Sequence, residues 1–161
     1  MYGKILVPVD GSETSTRALN EAIKIAKGQG SQLLLVHIVN EFILDLTYSG
    51  GFFPQHLIDS LVKTGRAVLD AGEAAAKKEG VKVESVLIES IGGVAADLIL
   101  AQAKKWKPDL IVMGTHGRRG LARVVLGSDA EKVVRDASVP VLLVRGSKKE
   151  TVVTLMQSSA A

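Results

Sequence analysis

The residues best suited to chemistry lie in one glycine-rich stretch, Met113-Gly114-Thr115-His116-Gly117-Arg118-Arg119-Gly120, which leads on to Gly127-Ser128-Asp129-Ala130-Glu131. Glycines at 114, 117, 120 and 127 let the backbone take positive φ and approach a ligand with no Cβ in the way, so bare amides can face outward. Ser128 to Glu131 has the S-x-x-E form of a capping box and marks a helix N-terminus at Gly127-Ser128. There, unpaired N–H groups and the helix dipole favour an anion. Any one of these residues alone reads as a tight turn or an ordinary N-cap. Four glycines, a capped helix start and Arg118-Arg119 within fifteen residues together point to an anion such as a nucleotide phosphate chain. A second polar loop, Asp10-Gly11-Ser12-Glu13, carries a carboxylate.

Positioning these loops requires a frame, and five runs rich in aliphatic and β-branched residues supply it: Lys4–Val9, Leu33–Val39, Val81–Ile88, Asp109–Met113 and Val141–Val144. Several are almost continuously apolar, as strands covered on both faces by helices must be. Between them, apolar residues recur three and four apart, as in Leu19, Ala22/Ile23 and Ala26, in Leu61, Gly65, Val68/Leu69, Gly72 and Ala75/Ala76, and in Ala95 with Leu98/Ile99. Helix stops are expected at Gly28 and Gly30, at Gly80, at Lys107-Pro108 and at Ser138-Val139-Pro140. Alternating strands and helices predict a three-layer, doubly wound α/β domain with a parallel sheet and right-handed crossovers. Ligands in such sheets bind outside the carboxyl ends of the strands, where strand order reverses, and both polar loops follow strands there. Residues 41–56 form a long connection holding four of the six aromatics (Phe42, Tyr48, Phe52 and Phe53), in the manner of a lid or a contact surface. The domain is expected over residues 1–146, with a partly disordered tail at 147–161.

Composition bounds the function classes. The chain has 161 residues, 47% hydrophobic and 23% charged, and no cysteine, which points to one globular domain of a reducing, cytoplasmic compartment. No apolar run approaches the roughly 20 residues of a membrane span, and MYGKILVPV lacks the form of a signal peptide, so no membrane association is expected. A net charge of +3 is too small to imply nucleic acid. Residues 101–135 nevertheless hold eight basic against three acidic residues, a local positive field suited to a small polyanion or to a solvated helix face.

Known nucleotide motifs narrow the choice. Neither G-x-x-x-x-G-K-[ST] nor a G-x-G-x-x-G after the first strand is present, which argues against a P-loop or a dinucleotide site. There is no G-x-S-x-G elbow, and the histidines at 37, 56 and 116 have no zinc spacing. His37, in an apolar strand, reads as a hydrogen-bonded core residue, and His56 as solvated in the long connection. His116 either donates to a phosphate or caps its turn. A receiver-like signalling domain would need acidic residues after the first strand, an Asp after the third, where Glu89-Ser90-Ile91 stands, and a lysine after the fifth, where Arg145 precedes Lys148.

The spacing that is present, Gly114-x2-Gly117-x9-Gly127-Ser128, resembles the ATP-binding signature of the universal stress protein family. The resemblance runs from Met1 to about Arg145 through KILVPVDGSE, LLLVHIV, DLIVMGTHGRRGLARVVLGS and VPVLLVR. It implies a Rossmann-like fold of the adenine nucleotide alpha hydrolase-like kind, a five-stranded parallel sheet in order 3-2-1-4-5 with the ends of strands one and four side by side. It further implies that Pro8, Val9 and Asp10 wall the adenosine, with Asp10 reaching ribose hydroxyls or a metal. The Ile38 backbone would pair with the adenine edge, and Met113 and Gly114 would lie under the ribose. His116, Gly117, Arg118, Arg119, Gly120, Gly127, Ser128, Asp129 and Ala130 fall in the stretch expected to cradle the triphosphate. Mg²⁺ or Mn²⁺ would be held through the phosphates rather than by a protein cluster.

Asp129 departs from the family pattern, which often has an apolar residue there; its carboxylate either opposes the phosphates or points away from them. The expected function is nucleotide-dependent regulation in a stress response, with at most slow ATP hydrolysis. The alternative is a metal-dependent ATPase or nucleotidyl-transfer enzyme using Asp10. The resemblance also implies a homodimer through the last strand, whose apolar edge would otherwise be exposed.

Overall fold

The computed structural model describes residues 1–40, 55–90, 92–116 and 126–146. Strands β1 (Lys4–Pro8), β2 (Gln32–Asn40), β3 (Lys82–Ser90), β4 (Leu110–Gly114) and β5 (Val141–Val144) alternate with helices α1 (Glu13–Gln29), α2 (Gln55–Lys78), α3 (Ala95–Trp106) and α4 (Ser128–Asp136). The strands form one parallel sheet in the order β3-β2-β1-β4-β5. This is the doubly wound architecture and strand order expected above, and it sets the ends of β1 and β4 side by side.

The period-two alternation of the central strands divides the core into two layers. Ile5, Val7, Leu33, Leu35, Leu110 and Val112 pack against α1 and α2, whereas Leu6, Leu34, Val36, Ile111 and Met113 pack against α3 and α4. Strands buried on both faces in this way have no polar side to offer, which explains the continuous apolar runs. Two glycines of α2 bring it close to the sheet: a Cβ on Gly65 would lie 2.5 Å from His37 Cδ2, and one on Gly72 would lie 2.8 Å from Leu35 Cδ1.

The ends of the long helices follow from backbone chemistry. Gly30, at φ 71°, ends α1, and the Ser31 N–H returns to the Ala26 carbonyl. Gly80, at φ 73°, ends α2 in the same way, with the Val81 N–H returning to Ala76. Both are left-handed glycine caps that satisfy the last carbonyls. Gly28, expected to share in the first stop, lies inside α1. Val81 belongs to the α2 cap, so β3 begins one residue later than the apolar run suggested. His56, placed by sequence in the connection, sits exposed in the first turn of α2. The remainder of that connection, residues 41–54, and the tail at 147–161 lie outside the described residues.

Candidate functional site

At the carboxyl end of the sheet, β1 runs into a turn built on its own side chains. The Ser12 N–H donates to Asp10 Oδ1 at 2.9 Å, and Gly11 takes φ 80°. Ser12 then caps α1, its Oγ accepting from the Ser15 N–H at 3.2 Å. Asp10 is therefore oriented by the turn it starts. Val9, 5% exposed, uses its N–H on the Val36 carbonyl and accepts from His37 Nδ1 at 2.7 Å. That bond makes His37 the core histidine expected from its strand. Pro8 is half-buried at the strand end beside them.

β2 outruns β1. Their register ends at Pro8 opposite Val36, while β2 continues to Asn40 alongside β3. Gln32 donates to Gly3, and Val36 accepts from Val9, so the even-numbered residues of β2 turn their main-chain groups toward β1. By that alternation the N–H and C=O of Ile38 face the space beyond the end of β1. Next to Val9, the Ile38 main chain thus presents one donor and one acceptor on a single edge.

The end of β4 is tied into both neighbours. The Thr115 N–H donates to Val144 at 2.9 Å, and its carbonyl accepts from the Gly127 N–H at 2.9 Å. Thr14, in the first turn of α1, donates its hydroxyl to the His116 carbonyl across the switch point. Thr14 and Thr115 were not among the expected site residues, yet they hold the two loops together. Thr14 gave no sequence signal because its partner lies 102 positions away.

Gly114 and Gly127 are needed here for close approach rather than for positive φ, which neither adopts. A Cβ on Gly114 would stand 2.9 Å from the Thr14 backbone, and one on Gly127 would stand 3.2 Å from the Thr115 carbonyl. Gly114 is thus packed against α1, and Met113 belongs to the core at 6% exposure. Of the glycines in the two polar loops that are described, Gly11 is the one with positive φ, and Gly117 and Gly120 lie outside the described residues.

The capping box is also corrected. Gly127, not Ser128, is the N-cap of α4, with φ −64° and ψ 149°; the Glu131 N–H closes onto the Gly127 carbonyl at 2.9 Å, and no side chain caps the helix. Ser128, exposed, is the first helical residue, and Ala130 is buried. The leading amides of α4 consequently stand without an acceptor side chain of their own, in contrast with α1. Close by, His116 pairs Nδ1 with Thr115 Oγ1 at 3.0 Å, while its Nε2 is shielded from solvent and has no hydrogen-bond partner among the described residues. A buried nitrogen in that state is one for which a ligand would provide the missing bond.

Asp129 turns away from this opening. Its Oδ1 accepts from the Ala96 N–H at 3.2 Å and so caps α3, whose own N-cap residue, Val94, has no side-chain acceptor. Gly117, Arg118, Arg119 and Gly120 lie outside the described residues.

Among the described residues no three His, Cys, Asp or Glu side chains gather into a metal-holding group, and no helix is long and apolar enough to cross a membrane. The arrangement can do one thing well: hold a flat polar edge at Ile38, a hydroxyl-bearing group near Asp10 and an anion at α4.

Residues 1–145 match the model of the Universal stress protein family. Universal stress protein MJ0531 of Methanocaldococcus jannaschii is 40% identical over 152 residues, covering 93% of this chain and 86% of its own. A crystal structure of a universal stress family protein from Burkholderia pseudomallei superposes with a TM-score of 0.72 at 34% identity, covering 89% of this chain and 96% of that one. Another, of a universal stress protein in complex with cAMP, superposes with a TM-score of 0.64 at 25% identity, covering 91% and 98%.

Proposed function

The chain belongs to the universal stress protein family, and from that premise we propose that it is a cytoplasmic adenine-nucleotide-binding regulatory protein, with ATP as its ligand. The observation that carries this reading is the pairing of the uncapped α4 N-terminus with the unpartnered, solvent-shielded Nε2 of His116. Helix amides and an imidazole donor together suit phosphate oxygens. The main-chain edge at Ile38 supports the adenine end, since one N–H and one C=O side by side complement the amino and ring nitrogens of that base. A structural neighbour of 25% identity binds an adenine nucleotide, cAMP, at TM-score 0.64.

Asp10 serves the middle of the ligand. With Oδ1 engaged by Ser12, its carboxylate is held in place to accept from ribose hydroxyls. It is also the residue that would contribute an oxygen to a divalent cation such as Mg²⁺ or Mn²⁺. With no carboxylate cluster beside it among the described residues, the phosphates would hold most of that ion. Among the described residues no carboxylate at the α4 end faces the opening to orient water for rapid hydrolysis, which fits a slow or absent turnover. The protein works by holding nucleotide and presenting the resulting surface, with turnover at most slow. β5 forms a sheet edge with Leu142 38% exposed, which supports pairing with a second copy along that strand.

Calorimetry with ATP tests this reading, comparing the wild type with Gly117→Val and Gly127→Val. A branched side chain at 117 is expected to fill phosphate space, and one at 127 to press on the Thr115 carbonyl and displace the start of α4, so binding should fall at least about a hundredfold while circular dichroism shows the fold retained. ATP affinity unchanged in both variants would overturn the assignment. Identification of the small molecule released on denaturing purified protein should return an adenylate.

A further inference from the structure

The carboxylate at position 129 has a place in the fold and an electrostatic consequence. Asp129 is the second helical residue of α4, immediately after the uncapped turn, and its Oδ1 is fixed 3.2 Å from the Ala96 N–H of α3. Half-buried and anchored, it cannot swing away when an anion arrives. Nor is its charge matched locally. Lys132, one turn along α4, is engaged by Asp97 at 3.1 Å and Asp136 at 3.0 Å, and among the described residues no cation lies within ion-pair distance of Asp129. Glu131, also in that first turn, is 65% exposed and therefore well screened.

We propose that Asp129 sets the phosphate-number preference of the site: a fixed negative charge beside the α4 amides, with no ion-pair partner among the described residues, that disfavours each additional phosphate charge. This rests on the nucleotide reading above and adds to it. The amides of α4 attract any phosphate, and Asp129 subtracts from that attraction in proportion to ligand charge. The triphosphate gains less over the monophosphate than the helix end alone would give. Its bond to Ala96 makes the penalty permanent, because releasing the carboxylate would leave α3 uncapped.

The test separates charge from capping. Asp129→Asn keeps an oxygen that accepts from the Ala96 N–H and removes the charge, whereas Asp129→Ser removes the charge and shortens the reach to Ala96 by one bond; amide hydrogen exchange at Ala96 reports how much of the cap each retains. Dissociation constants are measured by calorimetry on the full chain for adenosine, AMP, ADP, ATP and inorganic tripolyphosphate. Both variants should bind ATP roughly three- to tenfold more tightly than wild type, ADP less so and AMP least, with adenosine unchanged. A uniform change across all ligands, no change, or an ordering altered in only one of the two variants would overturn the proposal. Tighter tripolyphosphate binding in both variants with no adenosine or AMP binding to any protein would leave the charge role standing and remove the adenine reading. Absence of binding by every ligand to every protein would remove both.

Discussion

The two ends of the sheet handle their polar groups in opposite ways. At the amino end, Asp109 Oδ2 accepts from the Gly3 N–H at 2.8 Å and the Lys4 N–H at 2.9 Å, and its own N–H returns to the Lys4 carbonyl. Lys4 Nζ donates to the Trp106 carbonyl at 3.3 Å and lies 5.0 Å from the centroid of that ring. These groups close onto the chain itself. At the carboxyl end, by contrast, β2 runs past its neighbour, α4 begins without a side-chain cap, and His116 Nε2 has no partner among the described residues. Both ends contain carboxylates and helix termini. The difference is that one end is complete and so contributes stability, while the other keeps groups that the described residues do not engage and that the proposed nucleotide would complete.

The largest effect that would blur this division is expected from Thr14→Ala. Removing the hydroxyl frees the His116 carbonyl and unties α1 from the β4 loop. The half-buried bond should cost about 1–2 kcal/mol of stability by denaturant unfolding. ATP affinity should fall several-fold, because the loop must then be ordered at the expense of binding. Asp109→Ala comes next. It removes two bonds to main-chain N–H groups in an exposed setting and should cost about 1 kcal/mol. ATP affinity should not change, since nothing at that end faces the ligand. A weakened nucleotide affinity in Asp109→Ala, or an unaffected one in Thr14→Ala, would break the distinction between the two ends.

Much of this division could be read from the sequence, because the features that encode it are local. Apolar runs such as Ile5–Val7 and Leu33–Val36 fix strands buried on both faces, and Gly30 and Gly80 stop their helices where left-handed caps were expected. The strand order came through the family resemblance rather than through periodicity, which does not encode neighbours. What escaped was set by tertiary contact. An S-x-x-E pattern does not say whether its serine is the cap or the first helical residue; the bond from Gly127 N–H to the Thr115 carbonyl decides that in favour of Gly127. Glycine spacing likewise cannot distinguish positive φ from close approach, and at 114 the reason for glycine is the Thr14 backbone 2.9 Å from where a Cβ would be. Asp129 could face either way from sequence alone. Its direction is set by α3, whose Val94 offers no acceptor of its own.

The smallest expected effect concerns charge away from both ends, where Glu73 of α2 accepts from Lys77 Nζ at 2.5 Å and from Ser85 Oγ of β3 at 2.5 Å. The Lys77 hydrogen bond, then that of Ser85, hold the Glu73 carboxyl below its ordinary value of 4.5, against a smaller opposing effect of burial. A carboxylate whose folded pKa is depressed contributes stability above its unfolded pKa and loses it as pH falls through the folded one. Glu73 is half-buried but Lys77 is 62% exposed, and solvent screening at the lysine limits the contribution to about half a kcal/mol. Glu73→Gln, which keeps an acceptor for Ser85, should therefore lower the unfolding midpoint slightly at pH 7. The gap from wild type should begin to narrow as pH drops below about 4.5 and close only once pH has fallen through the depressed folded value, where the wild-type carboxylate is protonated as well. ATP affinity at pH 7 should be the same in both proteins. If the stability gap instead persisted undiminished in acid, packing rather than charge would be its source. If ATP affinity moved with it, the outer layer of α2 and β3 would be coupled to the carboxyl end, and the separation of the two ends would have to be redrawn to include it.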